Sequence, residues 1–320
     1  MKRIPRAAAI VLLLVGGALA VAASMVSGST SFSALTADIV RYRLGRGVLA
    51  FSVGAALGAS GVVFQGLFRN GLADPFVVGV SGGAALGAVV SAVFGLGFSI
   101  IALASSTVTA FVGGLGAAFL AYGLARVRGR VSVAGLLLAG SALSSFFGAI
   151  VSILLLYGNQ NWSEIISWLM GNLGRPDPWD RALVLAPCLV ASVAVMALHA
   201  RDLNLLLLGE EQARQLGVDA ERTKIALLGA GALAASAAVA TCGMIGFVGL
   251  IVPHVARRLV GPDHRTLLPV ALLAGGALLA LADAVARVIS TQMPLPIGAV
   301  TALAGAPFFV YILRRRSAKM

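Results

Sequence analysis

Gln65–Ala88 reads QGLFRNGLADPFVVGVSGGAALGA, a short polar stretch that interrupts two apolar runs. Asn70, Gly71, Asp74 and Pro75 are turn formers, and Pro75 suits the first turn of a following helix. The residues before it, 47–67, and after it, 76–94, carry no Asp, Glu or Lys and no Arg. Two helices joined by a turn are expected here, in surroundings that tolerate almost no charge.

The rest of the chain repeats that pattern. Of 320 residues, 59% are hydrophobic and 11% charged, against about 25% charged in a soluble domain. Water could not cover such a chain without large exposed apolar patches, so it is an integral membrane protein. Read with a window of about 19 residues, it divides into ten apolar segments at 7–27, 47–67, 76–94, 98–124, 133–157, 180–199, 225–241, 243–255, 267–289 and 297–313. Helix is the expected form of each, because lipid cannot satisfy open backbone groups. A span needs about 20 residues. Segment 76–94 is marginal and 243–255 too short, so each is expected to be tilted, broken or shielded by protein. The first segment, with Lys2, Arg3 and Arg6 before an apolar core, has the outline of a cleavable secretory signal. A first transmembrane helix looks the same, and with nine spans following, that is the reading adopted.

The net charge of +12 is a topological signal rather than a nucleic-acid footprint. With ten spans and the amino end inside, 18 of the 24 Lys and Arg fall on the inner side, including Arg126, Arg128, Arg130, Arg257, Arg258 and the Arg314–Arg316 run. This agrees with the positive-inside rule and places both termini in the cytoplasm. Arg41, Arg43, Arg46, Arg175, Arg181 and Arg287 form the outer minority. Glycines at small-xxx-small spacing, such as Gly54 and Gly58 or Gly83 and Gly87, are expected to let helices approach closely.

Chemistry-bearing residues are sparse. Cys188 and Cys242 lack any paired spacing, and His199, His254 and His264 are scattered, so neither a disulfide framework nor a local metal site is indicated. Gly79-Val80-Ser81-Gly82 matches the GxSG nucleophile pattern of rhomboid-type intramembrane proteases, for which His254 would have to serve as base. Small-residue packing is the preferred reading. Asp283 and Arg287 lie four apart in the ninth span and are expected to pair with one another near the outer surface rather than form a proton relay.

The longest charged stretch, residues 200–224, reads ARDLNLLLLGEEQARQLGVDAERTK. Glu210 and Glu211 suit the positive end of a helix, Arg214 its negative end, and Gly217 a stop. A two-turn helix over Glu210–Leu216 is expected beneath the membrane. Alone in water it would be unstable, so the rest of the chain or a partner must hold it.

Several segments together resemble the permease subunits of type II ABC importers, the family that imports ferric siderophores, haem and cobalamin. They are Arg43–Arg46, Gln65–Gly87, Leu136–Gly140, Trp168–Gly174, Leu208–Val218, Gly243–Pro269, Leu281–Arg287 and Leu295–Phe309, in family order and at family spacing. The resemblance implies a single all-α permease domain over 1–320, with inverted repeats of helices two to five and seven to ten. It implies a homodimer around a central path, two cytosolic ATPase subunits, a periplasmic or lipid-anchored binding protein, and residence in a bacterial inner membrane. Residues 200–224 would be the coupling segment, with Gly209, Glu210, Glu211, Gln212, Ala213, Arg214, Leu216 and Gly217 meeting the ATPase. Arg43, Arg46 and Arg287 would receive acidic residues of the binding protein, and Val133 and Ala134 would mark the cytoplasmic gate, less polar here than in many members.

No Walker sequence, GxxxxGK[ST], occurs in the chain. The subunit is thus expected to be no enzyme and to hold no cofactor or metal itself, ATP and Mg being bound by the partner ATPase. Expected cargo is a ferric siderophore first, haem second and cobalamin third. Departures from the family are Gly45 and Gly71, where Pro is common, and Pro294, where many members carry Glu. An ion-coupled secondary transporter working alone is the remaining rival.

Overall fold

The computed structural model describes residues 5–27, 36–96, 99–100, 103–127, 130–157, 162–289 and 295–317. Within them lie thirteen α-helices, in the order α1 Arg6–Val26, α2 Ala37–Leu67, α3 Val80–Val93, α4 Ser105–Ala125, α5 Val133–Tyr157, α6 Trp162–Leu169, α7 Pro178–Leu198, α8 Ala200–Leu206, α9 Glu210–Gln215, α10 Ala220–Cys242, α11 Val248–Val260, α12 His264–Ile289 and α13 Ile297–Ser317. Two antiparallel pairs of two-residue strands, Ser99–Ile100 with Leu103–Ala104 and Arg126–Val127 with Arg130–Val131, tighten the turns on either side of α4. Seven helices are long and apolar enough to cross a membrane on length and composition: α1, α2, α4, α5, α7, α10 and α12. With the shorter α3 and α11, and with α13, whose apolar part runs only from Ile297 to Val310, ten helices match the ten apolar segments.

Close approach between helices comes from the small residues. A Cβ on Gly58 of α2 would stand 2.6 Å from the Ala271 carbonyl oxygen of α12, and Gly54 abuts the Gly275 carbonyl one turn away. Gly83 and Gly87 of α3 meet the backbone of Gly113 and Thr109 on α4 in the same manner. The packing has an internal symmetry. Helix α2 lies along α12 as α10 lies against α4, and α3 packs on α4 and α5 as α11 packs on α12 and α13, with α2 and α10 in contact at the centre. This is the pattern that inverted repeats over α2–α5 and α10–α13 would give. Helix α1 packs on α12 and α2.

Both short spans are broken at their entrance. A 3-10 turn over Pro75–Val78, capped by the Asp74 carboxylate accepting from the Phe76 N–H, leads through Gly79 at φ 92° into α3. Gly243 at φ 75° and Phe247 at φ 67° bracket the stretch before α11.

Several boundaries differ from expectation. The second span begins at Ala37, not 47, because Arg43 and Arg46 turn inward to protein partners and so do not end the helix. The fourth begins at Ser105 rather than 98, after the first strand pair. The eighth is displaced from 243–255 to Val248–Val260. The short helices α6 and α8 were not anticipated: α6 is only eight residues long, and α8 lies inside a segment read by its charge.

Candidate functional site

The basic, inner side of the bundle carries a small projection made of α8, α9 and the start of α10. Asn204 on α8 anchors it: its Oδ1 accepts from the His264 N–H at 3.0 Å, and its amide donates to Asp263 at 2.7 Å. Hydrogen bonds from Asn204 and the Arg265 N–H hold the Asp263 carboxyl below the usual range, although desolvation by burial pushes the other way.

Helix α9 then occupies Glu210–Gln215, one residue shorter than expected at its end. Gly209 at φ 136° and Gly217 at φ 85° bound it in conformations that a side chain would strain. Glu210 and Glu211 stand in the first turn and Arg214 in the last, as the macrodipole favours, and Arg214 reaches both carboxylates at 3.8 and 3.7 Å. Ala213 is buried with Leu206, Val218 and Ala220, and Lys224 of α10 pairs with Glu210 at 2.7 Å. The chain therefore supplies part of what so short a helix needs. Around it, Leu208 and Leu216 are 63% and 59% exposed, an apolar surface beyond the bundle.

Nearby, the inner end of α5 begins at Val133. Val133 lines a small cavity with Leu67, Tyr122, Val131, Leu136, Lys224 and Leu228, while Ala134 is exposed.

At the opposite end, the outer arginines converge on one carboxylate. Asp283 on α12, 1% exposed, accepts from Arg46 of α2 at 2.8 Å and from Arg287 at 3.2 Å. The i,i+4 pair read from the sequence is present, and Arg46 is the partner that sequence reasoning missed. Arg287 also donates to the Ser24 carbonyl at 2.9 Å, and buried Arg43 to the Met25 carbonyl at 3.1 Å, so all three arginines bind α1, α2 and α12 together. Within this cluster, three arginines and one aspartate leave two net positive charges. Gly45 has a local reason: a Cβ there would lie 2.6 Å from the Trp179 indole nitrogen, which donates to the Arg41 carbonyl. Pro294 lies outside the described residues.

A second arginine site escaped the sequence reading. Buried Arg181 on α7 donates to the carbonyls of Thr241 at 3.1 Å, Leu173 at 3.3 Å and Arg175 at 2.6 Å. It thereby caps the end of α10 where the chain breaks before α11. The Trp168–Gly174 segment closes the same junction, the Asn172 N–H donating to the Cys242 carbonyl, and the Ile297 and Gly298 N–H groups to those of Gly171 and Met170. The only signal was an arginine in an apolar run.

Ser81 and His254 belong to different helix groups. Ser81 sits on α3, packed on α4 and α5. His254 is on α11, its ring edge-on to Phe308. Among the described residues no group of three or more His, Cys, Asp or Glu could hold a metal ion.

The described residues form a multi-pass helical bundle with a projecting inner element. The chain belongs to the FecCD transport family, whose model matches residues 10–315. It is 47% identical to the cobalamin import system permease protein BtuC of Halobacterium salinarum over 87% of this chain and 73% of that protein. It is 42% identical to the hemin transport system permease protein HmuU of Yersinia pestis over 86% and 82%. A solved inward-facing structure of a metal-chelate type ABC transporter superposes with a TM-score of 0.86 at 33% identity, covering 97% of this chain and 99% of that one. The fold is that of a type II ABC importer permease, and the protein is a multi-pass membrane protein.

Proposed function

We propose that this chain is the permease of an ATP-driven importer that carries a metal chelate across a bacterial inner membrane into the cytoplasm. The carrying observation is the projection around α9, a helix too short to stand alone, held on its inner side by Lys224 and presenting Leu208 and Leu216 outward. A separate ATPase subunit that seats this element gives the exposed leucines a partner, and the chain has no Walker sequence of its own. Gly209 to Gly217 form the contact, and ATP and Mg belong to that partner. Two copies of the chain enclose the path, with Val133 and Ala134 at its inner mouth. The net positive outer cluster of Arg43, Arg46 and Arg287 steers a binding protein of acidic rim onto the opposite face. The cargo class follows the relatives named for cobalamin and hemin and the metal-chelate transporter of the same fold. The chain itself does no bond-making chemistry.

Replacing Glu210–Leu216 by a Gly-Ser segment tests the reading. Expected are loss of co-purification with the ATPase and loss of ATP-dependent uptake of cyanocobalamin, hemin or a ferric hydroxamate, whichever the native complex carries. Retention of both overturns it.

A further inference from the structure

Lys224 stands where three elements meet. Its ammonium pairs with Glu210 on α9 at 2.7 Å and with Glu221, one turn back on its own helix, at 3.2 Å. It also donates to the Val131 carbonyl at 3.4 Å, two residues before α5 begins. The side chain is 13% exposed. Exposed Lys–Glu pairs contribute little, but a largely buried ammonium deprived of a partner is costly, so this contact holds its members together more firmly than a surface pair would. Arg214 and Glu211 lie beyond Glu210 and engage each other or Glu210; Asp219 pairs with Arg222.

Two further features surround the lysine. Its stem walls the small cavity that also borders Val131, Val133 and Leu136. Tyr122, from the inner end of α4, lines the same cavity, and its hydroxyl is buried with no hydrogen-bond partner among the described residues. A packed interior transmits displacement, whereas a void beside one element leaves that element room to move. The inner end of α5 thus borders both a small cavity and, through Lys224, a tether to α9. Glu221 gives the ammonium a second carboxylate fixed on α10, so a shift of Glu210 need not strand the charge.

We propose that Lys224 is a positioning residue that ties α9 to the start of α5, so that displacement of α9 is passed to the gate residues Val133 and Ala134. This rests on the reading of α9 as the ATPase-coupling helix. It assigns the transmission to one side chain, with the Val131 carbonyl as the receiving group and the cavity beside Val133 as the space used.

The test uses the full complex with its ATPase, carrying Ala134→Cys as a reporter in a Cys188→Ser background. In the otherwise native chain, trapping with ATP and vanadate is expected to change the rate of maleimide modification at the reporter about tenfold, within the usual range of coupling between sites. Lys224→Met keeps the stem against the cavity but removes the charge. In complexes that retain the ATPase it is expected to abolish the nucleotide dependence, and Lys224→Arg is expected to restore it. Should Lys224→Met not assemble, Lys224→Gln, whose shorter neutral side chain lacks the charge that pairs with Glu210 and Glu221, carries the same expectation. Nucleotide-dependent modification that persists in the neutral variant, or hydrolysis and gate response falling in equal proportion, overturns the proposal. If the Gly-Ser replacement of Glu210–Leu216 still binds the ATPase and supports uptake, the coupling reading itself fails. If that replacement behaves as expected and Lys224→Met still responds, only the assignment to Lys224 falls.

Discussion

Asp283 is a buried carboxylate shared by Arg46 and Arg287, two side chains that are themselves 12% and 13% exposed. Removing one member of a buried charge group leaves the others uncompensated, at a cost of about 3–5 kcal/mol. Asp283→Ala is therefore expected to lower the unfolding free energy in detergent by about 3–5 kcal/mol, read as a lower unfolding midpoint, with Arg46→Met partly restoring it. An unchanged midpoint would remove the cluster from the stability argument. Asp74 presents the reverse case. Burial pushes its carboxyl up to about 6, against the Phe76 N–H, which pulls it down. A carboxyl raised in the folded state favours folding while protonated, and that contribution is lost as pH rises from the unfolded value, 3.8, through about 6. The unfolding temperature should fall between pH 4 and about 7, and the fall should be smaller in Asp74→Asn, which keeps an acceptor for the Phe76 N–H. Thermal melts at several pH values check this.

The breaks in the helices were only half legible. Gly243 and the short apolar run after it announced an interruption, and Pro75 announced another. Neither announced what would satisfy the freed backbone groups. For α10 the answer is Arg181, which approaches from another helix some 60 positions away and spans the carbonyls of Thr241, Leu173 and Arg175. A planar guanidinium fans five N–H donors over a wider span than an ammonium, whose three donors share one nitrogen. Arg181→Met and Arg181→Lys are both expected to speed hydrogen exchange of the amides between Cys242 and Phe247 and to destabilise the protein by about 2 kcal/mol, the worth of one or two charge-assisted bonds. Exchange unchanged in both variants would show that Trp168–Gly174 closes the junction unaided. Helix α2 shows the opposite limit of sequence reading: its apolar stretch was evident, but its start was hidden by three arginines that resemble a loop until their partners are seen.

For the whole molecule, the bias of basic residues predicts which end faces the cytoplasm. In intact cells a membrane-impermeant maleimide should modify Asp177→Cys, in the exposed turn before α7, and leave Ser132→Cys, in the turn before α5, untouched until lysis. The reverse result would invert the topology and with it the sides assigned to α9 and to the outer arginines.

Composition, charge sidedness and the punctuation of apolar runs determined that the protein crosses a membrane ten times as helices, because lipid leaves the backbone no alternative. The same rules located the short charged helix α9 and the close-packing glycines, since dipole preference and backbone clearance are local properties. Tertiary structure alone decided that Arg46 shares Asp283 with Arg287, that Arg181 caps α10, and that Lys224 joins α9 to the head of α5. Each of those depends on a charge finding its partner across the bundle, and no spacing along the chain encodes that distance.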